Sequence, residues 1–351
     1  MDSDLEGRRR VYVSAVDSVE VLREPLPQLS GGDLLVRMSL CGVCGSDKAG
    51  TAGKHAFFSP PYYPGHEVVG EVVGAADSDG RKLLGRRVTI EPTLVCGHCK
   101  QCRNGRENLC EKLQFFGCGY REGGMSELFS VPYARAHIVP EEFTDFEAVL
   151  IEPLATPVHA VRMAGEVAGK SVAVLGAGTI GLLTLLAARQ AGARKIVSTD
   201  VLAAKRDLAS AFGADAAIDA AADDLATAVR DELGESVDVV FDCVSAESTV
   251  GSALRMAVKG GTVVVVGGPR AWVGINLPVL QEYEVRLQGS ATYTRRDFER
   301  SIGLMGEGAV NASRLITSLY PLDRAKEAFA AIAGGGEVKI VVTPPQDEVG
   351  R

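Results

Sequence analysis

The chain has 351 residues, more than one hydrophobic core usually holds, so two domains are expected. Its net charge of -8 and pI near 5.3 exclude the basic face that nucleic acid requires, and an apolar share of 46 % is ordinary for a globular protein. Eight cysteines, four of them within fifteen residues, and no secretory leader argue against disulfides and for metal binding in a reducing cytoplasm.

Arg8-Arg9-Arg10 follows an acidic start with no apolar stretch behind it, so it is not a targeting signal and reads as a solvated N-terminus. From Val11 to about Pro140 the pattern is one of short strands, Leu34 to Met38, Glu67 to Val73 and Arg87 to Ile90, between Gly- and Pro-rich segments. It predicts an irregular, mostly β domain. Two pieces of this stretch carry metal-type ligands: Cys44 in Cys41-Gly-Val-Cys-Gly-Ser-Asp47, and His66 with Glu67 in Pro64-Gly-His-Glu-Val-Val-Gly70. Taken singly, each is an ordinary buried residue. Between them, Thr51 to Tyr63 carries Phe57, Phe58, Tyr62 and Tyr63, which form either aromatic core or a wall of a substrate pocket.

Cys96-x2-Cys99-x2-Cys102-x7-Cys110 places four thiolates where a compact loop can wrap one tetrahedral ion. With every position filled by protein, such a site is closed to substrate and reads as structural zinc, an iron-sulfur cluster or free thiols being the alternatives. His98, inside the loop, is a bystander. A third ligand-bearing piece is Glu152 in Ile151-Glu-Pro-Leu154, although Glu-Pro is also a common helix start.

From Lys170 the texture changes to strands alternating with Ala- and Leu-rich helices. The strands are Val172 to Leu175, Lys195 to Thr199, Ala216 to Ile218, Val237 to Asp242, Thr262 to Val266 and Val285 to Gln288. Helical stretches include Ala203 to Phe212 and Thr249 to Val258. The fold class is therefore α/β, with a doubly wound parallel sheet of the Rossmann type. Gly176-Ala177-Gly178-Thr179-Ile180-Gly181 sits between a strand and a helix, and Asp200 closes the next strand. That context makes it a dinucleotide fingerprint: a tight turn, close backbone approach to a pyrophosphate, and an anion resting on a helix N-terminus. The cofactor-binding set is Gly176, Gly178, Thr179, Ile180, Gly181, Asp200 and Val266. Ser171 to Ala193 approaches membrane-span length, but its four glycines, Arg189 and Gln190 fit a buried strand and helix. After Gly289, two helices (Phe298 to Met305, Leu322 to Ile332) and a strand (Val338 to Val342) are expected to return to the first domain.

The order G-V-C-G-S-D, G-H-E-V-V-G, four-cysteine loop, E-P-L and G-A-G-T-I-G resembles the zinc-dependent medium-chain dehydrogenases over nearly the whole chain, most closely their sorbitol dehydrogenase branch. The resemblance implies a GroES-like β domain over residues 1-156, a Rossmann domain over 157-291, a return segment over 292-351 and a cleft between the domains. It implies a catalytic zinc on Cys44 and His66 with Glu67 as third ligand and Glu152 as an exchanging one, Ser46 bonding the substrate alcohol, and Asp47 fixing a ligand or the loop. Two Zn2+ per chain, NAD, a small-molecule alcohol substrate and a dimeric or tetrameric homo-oligomer follow from it. Three protein ligands leave a position on zinc where the pKa of bound water falls to about 7, near where an alcohol can lose its proton. Asp200 at the second strand's end favours the ribose 2′-OH of NAD over a 2′-phosphate.

Two departures bear on substrate and proton. Ala49 stands where the branch commonly has a relay histidine, so the proton route from Ser46 runs through cofactor ribose or ordered water, with Lys48 and His55 as weaker substitutes. Thr292-Tyr293 stands where the sorbitol enzymes have Arg-Tyr, which points away from sorbitol itself. The expected activity is hydride transfer between NAD and a secondary alcohol of a polyol, sugar or cyclitol-like substrate. The rivals are a threonine-type or simple alcohol dehydrogenase and a non-catalytic, zinc-stabilised binding protein.

Overall fold

A computed structural model describes residues 7–268 and 272–345, so the outermost limits of the first and last expected segments lie outside the described residues. The chain forms two compact units, Met1–Glu152 with Asn311–Arg351, and Pro153–Val310. Both expected sheets are present.

In the first unit a seven-stranded sheet is centred on Asp33–Val43. Its antiparallel partners are Glu67–Ala75, Leu128–Pro132 and Lys339–Thr343. Alternating apolar residues from these strands, among them Val36, Met38, Val68, Phe129, Ile340 and Val342, fill one core. Because a strand presents alternate side chains to opposite faces, the register between Asp33–Val43 and its partners decides which residues share the site. Gly42 pairs with Glu67, and Val341 pairs with Gly42.

The second unit carries a parallel six-stranded sheet in the order Ala216–Asp219, Lys195–Asp200, Ser171–Leu175, Val237–Asp242, Ala257–Val265, Arg286–Gly289. Ser171–Leu175 is buried throughout, as expected of a valine-rich strand covered on both faces. The chain winds outward in one direction from this strand and then in the other, which makes its carboxyl end the switch point where such sheets bind ligands.

Three expectations are corrected. Arg8-Arg9-Arg10 is no solvated terminus: it opens the strand Arg8–Ala15, and Arg8 and Arg10 are each 3 % exposed. The basic residues find carboxylate partners that lie 14 and 114 residues away, Glu24 and Glu122, which local sequence cannot show. The expected limits 157-291 and 292-351 also shift, because the helix Arg295–Gly306 stays with the second unit and the return begins only at Asn311. Its anchor is Asp297, 2 % exposed, which accepts from Arg162 Nε at 2.7 Å, Arg162 Nη2 at 2.8 Å and Thr294 Oγ1 at 2.7 Å and meets His159 Nδ1 at 2.8 Å. Of the expected helix Leu322 to Ile332, the first turn, Leu322–Arg324, is 3-10 and Ala325–Gly334 is α. Among the described residues no helix is long and apolar enough to cross a membrane.

Burial opposes ionisation of Asp297, but the bonds from Arg162, His159 and Thr294 outweigh it and hold the carboxyl well below its ordinary range. A depressed folded pKa gives stability that is present above the unfolded value near 4 and is lost as pH falls below it. Asp297→Asn is expected to cost on the order of 1–3 kcal/mol at neutral pH and to flatten stability below about pH 4, as urea unfolding across pH would record.

Candidate metal and cofactor sites

The loop Cys96 to Cys110 brings its four sulfurs together, with all ligand atoms within 4.8 Å of one another. Backbone N–H groups already point at them: Cys96 N to Cys110 Sγ at 3.3 Å, Cys99 N to Cys96 Sγ at 3.4 Å, Cys102 N to Cys99 Sγ at 3.5 Å and Lys112 N to Cys110 Sγ at 3.4 Å. The N–H of Cys102 lowers the Cys99 thiol and that of His98 lowers Cys96, while burial pushes the Cys102 thiol up to about 12. A Zn–S bond of about 2.3 Å gives a tetrahedron with edges of about 3.8 Å, and Cys96 Sγ lies 4.0 Å from Cys102 Sγ. The set fits zinc. His98 turns away from it, with Nδ1 2.7 Å from the Cys96 carbonyl.

The second constellation assembles from two places beside the sheet, the end of strand Asp33–Val43 and the start of strand Glu67–Ala75. Cys44 precedes the short helix Gly45–Thr51, His66 precedes the strand Glu67–Ala75, and Glu67 opens that strand. Their ligand atoms lie within 4.8 Å of one another. Glu152 is buried in the first turn of Ile151–Ala164 and stands outside this trio, yet near enough for its charge to act on Lys339. The burial of so many acids and sulfurs calls for a cation. Burial alone would lower the His66 pKa, and Cys118 and Cys44 outweigh it and raise it well above normal.

Around the trio, Asp47 Oδ2 accepts from the Cys44 amide at 2.9 Å, a bond that ties Asp47 to the turn carrying Cys44. Burial pushes its carboxyl up to about 6, and its Oδ1 has no hydrogen-bond partner. Ser46 Oγ is also buried without a partner. Two orphaned oxygens beside open ligands are the mark of a site completed by something bound. Lys48 reaches away to the Ala333 carbonyl at 2.8 Å. His55 stacks on Phe58 at 4.0 Å and its Nδ1 accepts from the Phe57 amide at 3.2 Å. The Thr51 to Tyr63 aromatics divide: Tyr62 belongs to the core, Tyr63 lies under Arg10, and Phe57 is 92 % exposed.

Three residues escaped the sequence reading. Lys339 is buried in the last strand and donates to both oxygens of Glu67 at 2.7 and 2.6 Å and to the Val43 carbonyl at 3.3 Å. Burial works against its charge, and Glu67 and Cys44 outweigh that and raise its pKa. The available signal was a lysine beginning an otherwise apolar strand. Cys118, just beyond the four-cysteine loop, lies 3.5 Å from His66 Nδ1 and, with Asp47 and His66, makes a second close trio. Gly42 is the third: a Cβ there would lie 2.0 Å from Glu67 Oε2, so glycine gives the carboxylate its place.

In the second unit, the fingerprint turn has Gly176 at φ +92°, and a Cβ on Gly181 would fall 1.8 Å from the Gly176 carbonyl oxygen. Gly178 caps Thr179–Gln190 with no side chain to compete with an anion. Asp200 is held by the amides of Ala177 and Leu202, both at 2.9 Å. Val201 and Leu202 are exposed after strand Lys195–Asp200 and Val244 after strand Val237–Asp242, on either side of the central strand Ser171–Leu175, and Val266 is buried after its strand. Tyr293 is 1 % exposed, in the core.

Comparison with known proteins agrees with both units. The family described as alcohol dehydrogenase GroES-like domain matches residues 30–141, and the one described as zinc-binding dehydrogenase matches residues 179–307. D-xylulose reductase A of Aspergillus niger is 30 % identical over 340 residues, covering 94 % of this chain and 95 % of that protein. A Sinorhizobium meliloti protein described as a zinc-binding dehydrogenase, solved with NADP bound, superposes with a TM-score of 0.89 at 35 % identity, covering 96 % of this chain and 99 % of that one. L-idonate 5-dehydrogenase of Escherichia coli gives 0.88 at 29 %, covering 96 % and 98 %.

Removing one partner of a buried ion pair strands the other. Glu67→Leu is therefore expected to cost about 3–5 kcal/mol, and adding Lys339→Met to recover most of it. Urea unfolding of the two single variants and the double variant measures the coupling.

Proposed function

This chain belongs to the zinc-dependent medium-chain dehydrogenases, in their sorbitol dehydrogenase-like branch, and on that premise we propose that it interconverts a secondary alcohol and its ketone on a polyol, sugar or cyclitol-like substrate, with NAD. The observation that carries this reading is the open trio Cys44, His66 and Glu67 beside the unpartnered Ser46 hydroxyl. A closed four-cysteine set fits the structural ion; the open set fits the catalytic one, with Glu152 in reserve. When bound, zinc supplies Lewis acidity and NAD takes the hydride.

The chain's own groups handle orientation and the proton. Asp47 holds the Cys44 loop, and Lys339 neutralises Glu67 so that two adjacent acids do not repel at the site. Ser46 Oγ is the group that accepts the substrate hydroxyl proton and passes it on. Lys48 and His55 are committed elsewhere, so neither is placed to carry the proton on from Ser46.

Asp200 supports NAD, because its carboxylate would repel a 2′-phosphate. Arg206 offers no phosphate clamp, since it is spent on the carbonyls of Asp200 and Val201 and on Asp219 at 3.2 Å. The NADP-bound S. meliloti relative favours the second reading, NADP, and kcat/KM with each cofactor decides between them. A cytoplasmic homo-oligomer, dimer or tetramer, belongs to the same proposal. Its support is eight unpaired cysteines and the edge position of strand Arg286–Gly289 in its sheet among the described residues. The net charge of -8 speaks against nucleic acid as a partner.

The reading is tested by screening polyols, sugar acids and cyclitols against simple alcohols and threonine for appearance of the reduced nicotinamide. Preference for a simple alcohol or threonine selects the alternative dehydrogenase, and no turnover on any of them with zinc-loaded protein selects the binding protein. Ser46→Ala is expected to lower kcat by about 100- to 10,000-fold with zinc retained. Elemental analysis should find two zinc ions per chain. Cys102→Ser should lose one with marked destabilisation, and Cys44→Ser should lose the other with the fold intact.

A further inference from the structure

The turn that carries His66 is built between two other segments. Gly124 N donates to the Gly65 carbonyl at 2.7 Å and Met125 N to the Pro64 carbonyl at 3.1 Å, so the segment before Met125 backs the residues immediately preceding His66. Strand Arg8–Ala15 ties both segments together: Val11 N donates to the Met125 carbonyl at 2.8 Å, and Val13 N to the Tyr62 carbonyl at 3.0 Å. Superposed on this backbone lattice is a buried ionic cluster. Arg8 makes a two-pronged bond to Glu122, Nη1 to Oε2 at 2.6 Å and Nη2 to Oε1 at 2.7 Å, with side chains 3 % and 7 % exposed. Arg10 lies 3.5 Å from the same carboxylate, bonds Glu24 at 3.1 Å and covers the Tyr63 ring at 3.3 Å.

As a stabilising device this cluster is poor. Both guanidinium groups face Glu122, Arg10 alone has a second carboxylate in the part-exposed Glu24, and the Nε atoms of both Arg8 and Arg10 are buried without a partner. Apolar residues of similar volume would fill such a place at equal or better stability. What apolar residues would not supply is direction. The fork of Arg8 sets the position of Glu122, and the flat face of Arg10 sets Tyr63; those two residues flank the pair of segments that clamp the His66 turn.

We propose that Glu122, through Arg8 and Arg10, is a positioning residue for the catalytic metal: the cluster holds the Pro64-Gly65-His66 turn in the orientation that lets His66 meet the ion bound by Cys44. The proposal rests on His66 and Cys44 being metal ligands. It assigns to the N-terminal strand, distant in sequence, a part in metal retention.

The experiment compares Glu122→Gln, the apolar replacement Arg8→Met/Arg10→Met/Glu122→Leu, and Cys44→Ser with the parent protein. Zinc release to a chromogenic chelator, the visible absorption of protein carrying Co2+ in the open site, and urea unfolding are measured on each. The expected result for Glu122→Gln is 10- to 100-fold weaker zinc retention at the open site, a changed Co2+ band, and unchanged retention at the four-cysteine site. The apolar replacement should unfold at a urea midpoint equal to or above the parent's and still show the weakened open site. Parent-like zinc retention and Co2+ absorption in Glu122→Gln would overturn the proposal. So would equal loss from both sites together with a lowered urea midpoint, which would mark a general packing role; if the apolar replacement does not fold, Glu122→Gln alone decides. Cys44→Ser separates the premise: two retained zinc ions in that variant would mean that the reading of the metal site has failed, whatever Glu122 does.

Discussion

The first unit depends on neutralising buried acids. Cys44, Asp47, Glu67 and Glu152 are carried to one region of a β domain, and Asp47, Glu67 and Glu152 are almost wholly withdrawn from water. Uncompensated carboxylates in such a place would take up protons or drive the segments apart. Lys339 supplies a permanent cation to Glu67, whose carboxylate also lies beside Cys44 and His66. The pairing of Lys339–Thr343 with Asp33–Val43 sets Lys339 at the end of the register, where it reaches Glu67 and the Val43 carbonyl. A return segment that begins 244 positions after Glu67, at Asn311, is thereby part of the site's chemistry.

The two metal constellations illustrate opposite solutions to the same problem. In the four-cysteine loop all four sulfurs are local and backbone amides point at them, so the loop is organised around a place that fits an ion. In the open constellation the ligands come from separate segments, each tethered by a polar contact remote from the metal position: Asp47 for Cys44, Lys339 for Glu67, the Arg8–Glu122 cluster for the turn before His66. A rigid surround with incomplete ligation suits an ion that must accept and release a substrate atom. The second unit solves a different problem with glycine and backbone alone: the fingerprint turn brings amides to the phosphate position, and Asp200 is held ready by the amides of Ala177 and Leu202.

Much of this was written in the sequence, and the reason is range. The four-cysteine loop, the glycine turn with its strand and helix, and the parallel sheet's alternating rhythm are set by residues within a few tens of positions, and each has a pattern that spacing and periodicity display. Cys44, His66 and Glu67 could be singled out because residue type and order mark them as metal-type side chains, and the structure brings those three side chains together. The tertiary structure alone decided what is non-local. Only the register of the last strand shows that Lys339 meets Glu67, and only the pairing of the first strand shows that Arg8 and Arg10 are buried on Glu122 and not bathed in solvent. The stay of Arg295–Gly306 with the second unit rests on Asp297 finding Arg162 and His159, 135 and 138 residues away. A buried charge must have a partner, but the sequence does not say which one: local pattern fixes that a residue is apolar-facing or polar, and the choice of partner among distant charges belongs to the folded chain.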